Sequence, residues 1–159
     1  MSCVLALVAD AAERLAQTVS HSAALPPVQG RADSGLLSGQ QFIGGLVGRN
    51  EGGNIENSYA AGNVTANQAG GGLVGWNEEG TVSNCFWDAE TSGQATSDGG
   101  TGKTTAEMKN IATFTDTATE GLVEPWNLVA VAPGETNPAY TWNIVDGQTY
   151  PFLIWQPAS

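Results

Sequence analysis

Apolar side chains at Val4, Leu7, Val8, Ala11, Leu15 and Val19 recur at the spacing of one helical face, with Asp10, Glu13 and Arg14 between them. The pattern predicts a short amphipathic helix. Residues 21–31 carry Pro26, Pro27 and Gly30 and show no such period, so they read as a linker. From Leu37 onward the apolar residues fall in short pieces separated by Gly and Asn, around Leu37, Leu46-Val47 and Ile55 to Tyr59, then Val64, Leu73-Val74 and Val82 to Phe86. Such pieces suit short strands joined by turns, because Gly supplies positive φ without a Cβ clash and Asn tolerates the left-handed region. Near the C-terminus, Trp142 and Ile144 alternate with Asn143 and Val145, and Tyr150, Phe152 and Ile154 with Leu153 and Trp155, about a central Asp146-Gly147. This predicts a hairpin closed by a type I′ turn. Pro151 has no N–H to give to a ladder and is expected at an edge or on the hairpin's outer side.

The short pieces repeat. Gly44-Gly45-Leu46-Val47-Gly48 returns as Gly71-Gly72-Leu73-Val74-Gly75, and in the same ungapped register Asn50, Glu51, Gly53 and Asn57 meet Asn77, Glu78, Gly80 and Asn84. Residues 35–61 and 62–88 share 11 of 27 positions at this offset, enough to make them two copies of one unit. Three strands and three corners in about 27 residues are what one rung of a β-solenoid requires, since each rung must return to its start to stack on the next. Leu46 is then expected over Leu73, Ile55 over Val82 and Tyr59 over Phe86, all inward, with Asn57 over Asn84 at a corner. The alternative is a pair of similar hairpins in a sandwich.

Gly-Gly-Leu-Val-Gly followed by Asn, and then the run Gly53 to Val64, resembles the GLUG motif of large bacterial surface and secreted proteins, among them filamentous-haemagglutinin-like adhesins and some immunoglobulin A peptidases. Asn84 to Asp88, Thr91-Ser92-Gly93, Gly99 to Thr105, Glu107-Met108-Lys109 and Trp142 to Leu153 are similar to the segment that follows the last such repeat. The resemblance covers roughly residues 35–155. It implies an extended β-solenoid, and with the residue patterns above the expected fold is mainly all-β: a short right-handed β-solenoid with a C-terminal helix-plus-hairpin cap and an N-terminal helix. It also implies a passive adhesive or display module at the cell surface or outside the cell. Domains are expected at 1–31 (helix and linker), 32–95 (repeats) and 96–159 (capping region). No positive charge precedes the first apolar run and Asp10 interrupts it, so no secretory signal is expected there. Against the extracellular location that the resemblance implies, this makes a truncated or misstarted reading frame the expectation.

Charge narrows the partners. Five Lys+Arg against 16 Asp+Glu, a net charge of -11 and a pI near 4.1 lack the basic footprint of a nucleic-acid binder or of a protein drawn to anionic membranes. With 41% hydrophobic and only 13% charged residues the chain is nevertheless a folding one. No apolar run reaches the ~20 residues of a membrane-spanning helix. Expected partners are a host or surface glycan or protein, with self-association through the solenoid ends.

Candidate chemistry is sparse. The only histidine, His21, lies in the linker, which excludes a His-Glu-x-x-His protease motif. Cys3 and Cys85 make neither a disulfide framework nor a metal site, and no calcium-loop pattern occurs. Ser97 to Thr104 imitates a phosphate loop, but Ser97 stands where the first glycine belongs and no buried strand precedes it. Thr104 and Glu107 there make a capping box instead, opening a turn or two through Ala106, Met108 and Ile111. That short helix and the hairpin are expected to cover the last rung. Of five tryptophans most are expected to be packed; Trp76 takes the place of Arg49 in the repeat, should face solvent, and is the one candidate ligand-binding residue. Glu51 and Glu78 should stack as a like-charge pair at a solvated turn. No catalytic, cofactor or metal residue is assigned, and a non-enzymatic module is expected; the alternative is a carbohydrate-active β-helix enzyme or glycan-binding module.

Overall fold

The computed structural model describes residues 18–20, 31–32, 37–39, 42–66 and 70–156. The described residues are mainly β, with three helices of four residues each, Ala89–Ser92, Thr105–Met108 and Ala112–Thr115. Most of the helix expected over residues 4–19 and of the linker at 21–31 lies outside the described residues.

The two repeats lie side by side through five parallel ladders, all at the 27-residue offset. Leu37–Gly39 pairs with Val64–Ala66, Ile43–Gly44 with Gly70–Gly71, Val47–Glu51 with Val74–Glu78, Asn54–Glu56 with Thr81–Ser83, and Tyr59–Ala60 with Phe86–Asp88. Each unit thus holds five short strands rather than three. Asn57 and Asn84 both take positive φ, as expected at a corner. Thr18–Ser20 and Arg31–Ala32 add two further parallel strands before the first repeat, against Arg49 to Glu51 and Tyr59-Ala60. Val19, assigned to a helical face by its spacing, is therefore in a strand, and Arg31 belongs to a ladder rather than to the linker. Tertiary pairing overrides a local period when stacking offers the backbone a ready edge.

Period-two alternation gives the Phe86–Asp88 sheet two buried faces. Ala60 and Trp87 point among the repeats, into a core with Val47, Ile55, Leu73, Val74 and Cys85. Tyr59 and Phe86 point the other way, into a second core built with Met108, Phe114, Leu122, Trp126, Leu128, Trp142, Ile144 and Leu153. This corrects the expectation that Tyr59 and Phe86 face inward: they are fully buried, but on the outer face of their sheet. Residues 104–156 therefore cover a flank of the repeats.

The end of the array is closed by a shortened turn of chain. Thr101–Lys103 pairs in parallel with Phe86–Asp88. Ser97 Oγ accepts from the N–H groups of Leu73 and Val74, Asp98 Oδ2 accepts from Asn77 N at 2.6 Å, and Gln94 Nε2 donates to Val64 O at 2.7 Å. Side chains thus satisfy strand edges that another repeat would otherwise meet. Gly99 and Gly100, at φ +138° and +81°, lie where a Cβ would strike Val82 and Leu73. The glycine-rich run that imitates a phosphate loop is the means of turning tightly over the core.

The hairpin differs in its turn. Trp142 pairs with Leu153 and Asn143 with Phe152, antiparallel, leaving a seven-residue connection from Val145 to Pro151, and only Gly147 of the central pair has positive φ. A type I′ turn needs it at both positions. The connection is held from outside: Asp146 Oδ1 accepts from Ile111 N and Gly147 N donates to Lys109 O. Pro151, expected outside, is buried, and its carbonyl accepts from Tyr59 Oη at 2.6 Å. Leu128–Ala130, unforeseen, pairs parallel with Trp142–Ile144.

Candidate functional site

Val47 and Val74 begin their strands, Val47–Glu51 and Val74–Glu78, in the repeat core, and beyond the following glycine the residues alternate between the two sides. On the inner side, Asn50 is completely buried; its amide donates to Gly53 O and to Asn77 Oδ1, at 2.7 Å, and its carbonyl accepts from Gly53 N. On the outer side, Arg49 pairs in register with Trp76, and Glu51 with Glu78. Arg49 Nη2 bridges both carboxylates, reaching Glu78 Oε2 at 2.8 Å. The stacked acids read from the repeat are thus a triad with a shared guanidinium. The hydrogen bond and charge of Arg49 hold the Glu78 carboxyl below its usual range, with a smaller contribution from the Trp76 indole N–H. Water screens exposed pairs of this kind, so they add little to stability.

Trp76 lies beside this triad with 43% of its surface exposed, and its ring is 5.5 Å from that of Phe42 at 54°. Trp155 is also exposed, whereas Trp87, Trp126 and Trp142 are buried. Phe42 has φ +43°, a conformation that a bulky residue rarely adopts. Arg49 and Phe42 were missed as members of this patch. Arg49 was legible as a repeat position, but the neighbour of Trp76 on the preceding turn was not.

A second polar centre lies at the junction of the repeats and the C-terminal region. Asp88 caps the helix Ala89–Ser92 by accepting from the N–H groups of Glu90 and Thr91, and its Oδ2 accepts from Thr105 Oγ1 and Tyr150 Oη, each at 2.7 Å. Burial opposes ionisation, but hydrogen bonds from Tyr150, Thr91, Thr105 and Glu90 outweigh it and hold the carboxyl below its usual range. Burial and the facing carboxylate push the Tyr150 hydroxyl up to about 12. All acceptor directions are occupied by protein donors, so this centre reads as structural. Its signal in the sequence was an Asp five residues before Gly93, the left-handed residue that ends the helix.

The remaining candidates stay apart. Lys103 of the glycine-rich run sits in a strand with its ammonium 5.9 Å from the centre of the Phe86 ring, and the helix that follows spans only Thr105–Met108, with the expected capping box from Thr104 and Glu107. Burial pushes the Cys85 thiol up to about 12. His21 and Cys3 lie outside the described residues. Among the described residues no group of three or more His, Cys, Asp or Glu is placed to hold a metal ion, and no helix is long and apolar enough to cross a membrane.

Comparison with known proteins places a match to the GLUG motif at residues 39–65. A protein of Evansella cellulosilytica described as a putative Gly-rich membrane protein is 46% identical over 80 residues, covering 46% of this chain. The chain spans 9% of the length of that curated relative. No solved structure matches.

Proposed function

We propose that this chain is a non-enzymatic structural module, the terminal part of a short right-handed β-solenoid of GLUG repeats, displayed by a larger cell-surface or secreted bacterial protein and adhesive in role. The observation that carries the reading is the constant 27-residue offset through five parallel ladders. A strand order that repeats at one offset extends by adding units, which suits a spacer or display surface better than a catalytic pocket. The Gly-rich relative, far longer and described as a membrane protein, supports a place at a membrane or surface. The two outward carboxylates are tied to Arg49 rather than set apart across a groove. Incubation with neutral and acidic polysaccharides, read as new reducing ends, is expected to show no turnover. Turnover lost in Glu51→Gln or Glu78→Gln would overturn the reading, as would failure of an antibody against the chain to stain intact source cells that stain once permeabilised.

A further inference from the structure

We propose that Trp76 and Phe42 form a stacking platform for a hexopyranose ring of a neutral polysaccharide. The proposal deepens the display reading by naming what the flank would hold.

Three observations converge on the pair. The ladder does not need an aromatic residue at this position, because its in-register partner in the first repeat is Arg49. Trp76 nonetheless stands there with 43% of its surface open, while three of the chain's other tryptophans are packed away. Phe42 holds φ +43°, a strained backbone for a bulky side chain, and its ring leans on the indole at 54° to make a corner rather than a flat patch.

The polar rim fits a sugar's edge. An indole face takes the C–H face of a pyranose, and the hydroxyls that circle the ring need acceptors and donors in the same plane. Glu78, exposed beside Trp76, keeps acceptor capacity beyond its bonds to Arg49 and the indole, and Arg49 supplies N–H donors. Charge selects within the class. Glu51 and Glu78 outnumber Arg49 around the platform, in a chain of net charge -11, so uronic or sialic carboxylates are repelled and neutral rings are preferred.

Tryptophan-labelled protein, with the Trp76 indole N–H signal assigned from Trp76→Phe, would be titrated with cellohexaose, mannohexaose, chitohexaose and hexagalacturonate. At least one neutral hexasaccharide is expected to shift that signal, and hexagalacturonate to leave it still. With affinities read by isothermal titration calorimetry, Trp76→Ala should weaken binding roughly tenfold, and Phe42→Gly, which relieves the strained φ, should weaken it several-fold. Trp76→Arg restores the residue of the first repeat and should remain folded while losing the sugar. No shift with any neutral hexasaccharide, unchanged affinity in both Trp76 variants, or tighter binding of hexagalacturonate would overturn the proposal. Absence of binding leaves the display reading intact, whereas new reducing ends in these titrations would count against that reading and not against the platform.

Discussion

The Tyr150 hydroxyl donates to Asp88 Oδ2 at 2.7 Å across 62 positions of chain, and so ties the connection of the C-terminal hairpin to the last strand of the second repeat. Tyr59 stacks on the Tyr150 ring at 9° with centroids 6.0 Å apart, and the Lys109 ammonium lies over the Tyr150 ring, 5.3 Å from its centroid. One tyrosine therefore joins the repeats and the C-terminal region through packing and a charge-assisted hydrogen bond together.

This link limits stability at both ends of the pH scale. The Asp88 carboxyl is held below its ordinary value of 3.8, so its contribution is complete above that value and is lost as the pH falls below it through the lower folded value. Tyr150 is raised from 10.0 to about 12, so its contribution is complete below pH 10.0 and fades as the pH rises toward 12. Tyr150→Phe should lower stability by about 1–2 kcal/mol at pH 7 and flatten the alkaline decline relative to the parent. Asp88→Asn, which keeps the shape but removes the charge that four donors meet, should cost about 1.5–3 kcal/mol. Urea unfolding followed by circular dichroism from pH 3 to pH 11 measures both.

The Asn50–Asn77 ladder makes a second prediction. Asn50→Ala would leave the buried Gly53 N–H without its acceptor and take one donor from the Gly53 carbonyl, and should cost about 2–3 kcal/mol. Asn77→Ala should cost about 1 kcal/mol, since Asn77 is only half-buried and Asn50 keeps its bonds to Gly53. A lower urea midpoint with unchanged m-value is the expected signature, because the loss is local.

What could be read from the sequence was what stacking makes repetitive. Equivalent residues such as Ile55 and Val82 must sit in one ladder, so their likeness and spacing reveal the register directly. The flank was legible only in part. The capping box of Thr104 and Glu107 is local and was found; the use of Tyr59 and Phe86 on the outer face was not, because alternation in a strand of two or three residues does not say which side is covered from afar. The Asp146-Gly147 turn failed for the same reason: its N–H and carboxylate serve Lys109 and Ile111, and that docking selects the turn. At the candidate site, Trp76 stood out as a departure from the repeat, while Phe42 became its neighbour only through folding.

Gly72 tests how closely the repeats approach. A Cβ there would overlap the Trp87 indole, so Gly72→Ala must push a buried ring out of the repeat core. We expect a cost of about 3 kcal/mol and a red shift of tryptophan emission. Gly134→Ala is the control: nothing lies within 4 Å, and only its φ of +83° is penalised, by about 1 kcal/mol. Equal losses for the two would mean that the Gly72–Trp87 approach carries no packing constraint.

Trp126 decides whether the flank and the repeats fold as one unit. Its ring meets Tyr59, Phe86, Phe114 and Trp142 at centroid distances of 4.7 to 6.5 Å, and its Nε1–H donates to Asn84 O at 3.0 Å, at the corner of the second repeat. Truncation removes a buried aromatic and strands a corner carbonyl, so Trp126→Ala should cost about 3–5 kcal/mol. The loss falls on residues from both parts of the chain. If they are one cooperative unit, Trp126→Ala lowers a single transition seen alike by near-ultraviolet and far-ultraviolet circular dichroism. Deleting residues 104–159 goes further: it uncovers Tyr59 and Phe86, but leaves Trp87 packed among the repeats. That shortened chain should self-associate through the bared sheet face, and Phe86→Thr should reduce the association. A monomeric, equally stable truncation would show that the outer face of the Phe86–Asp88 sheet needs no cover.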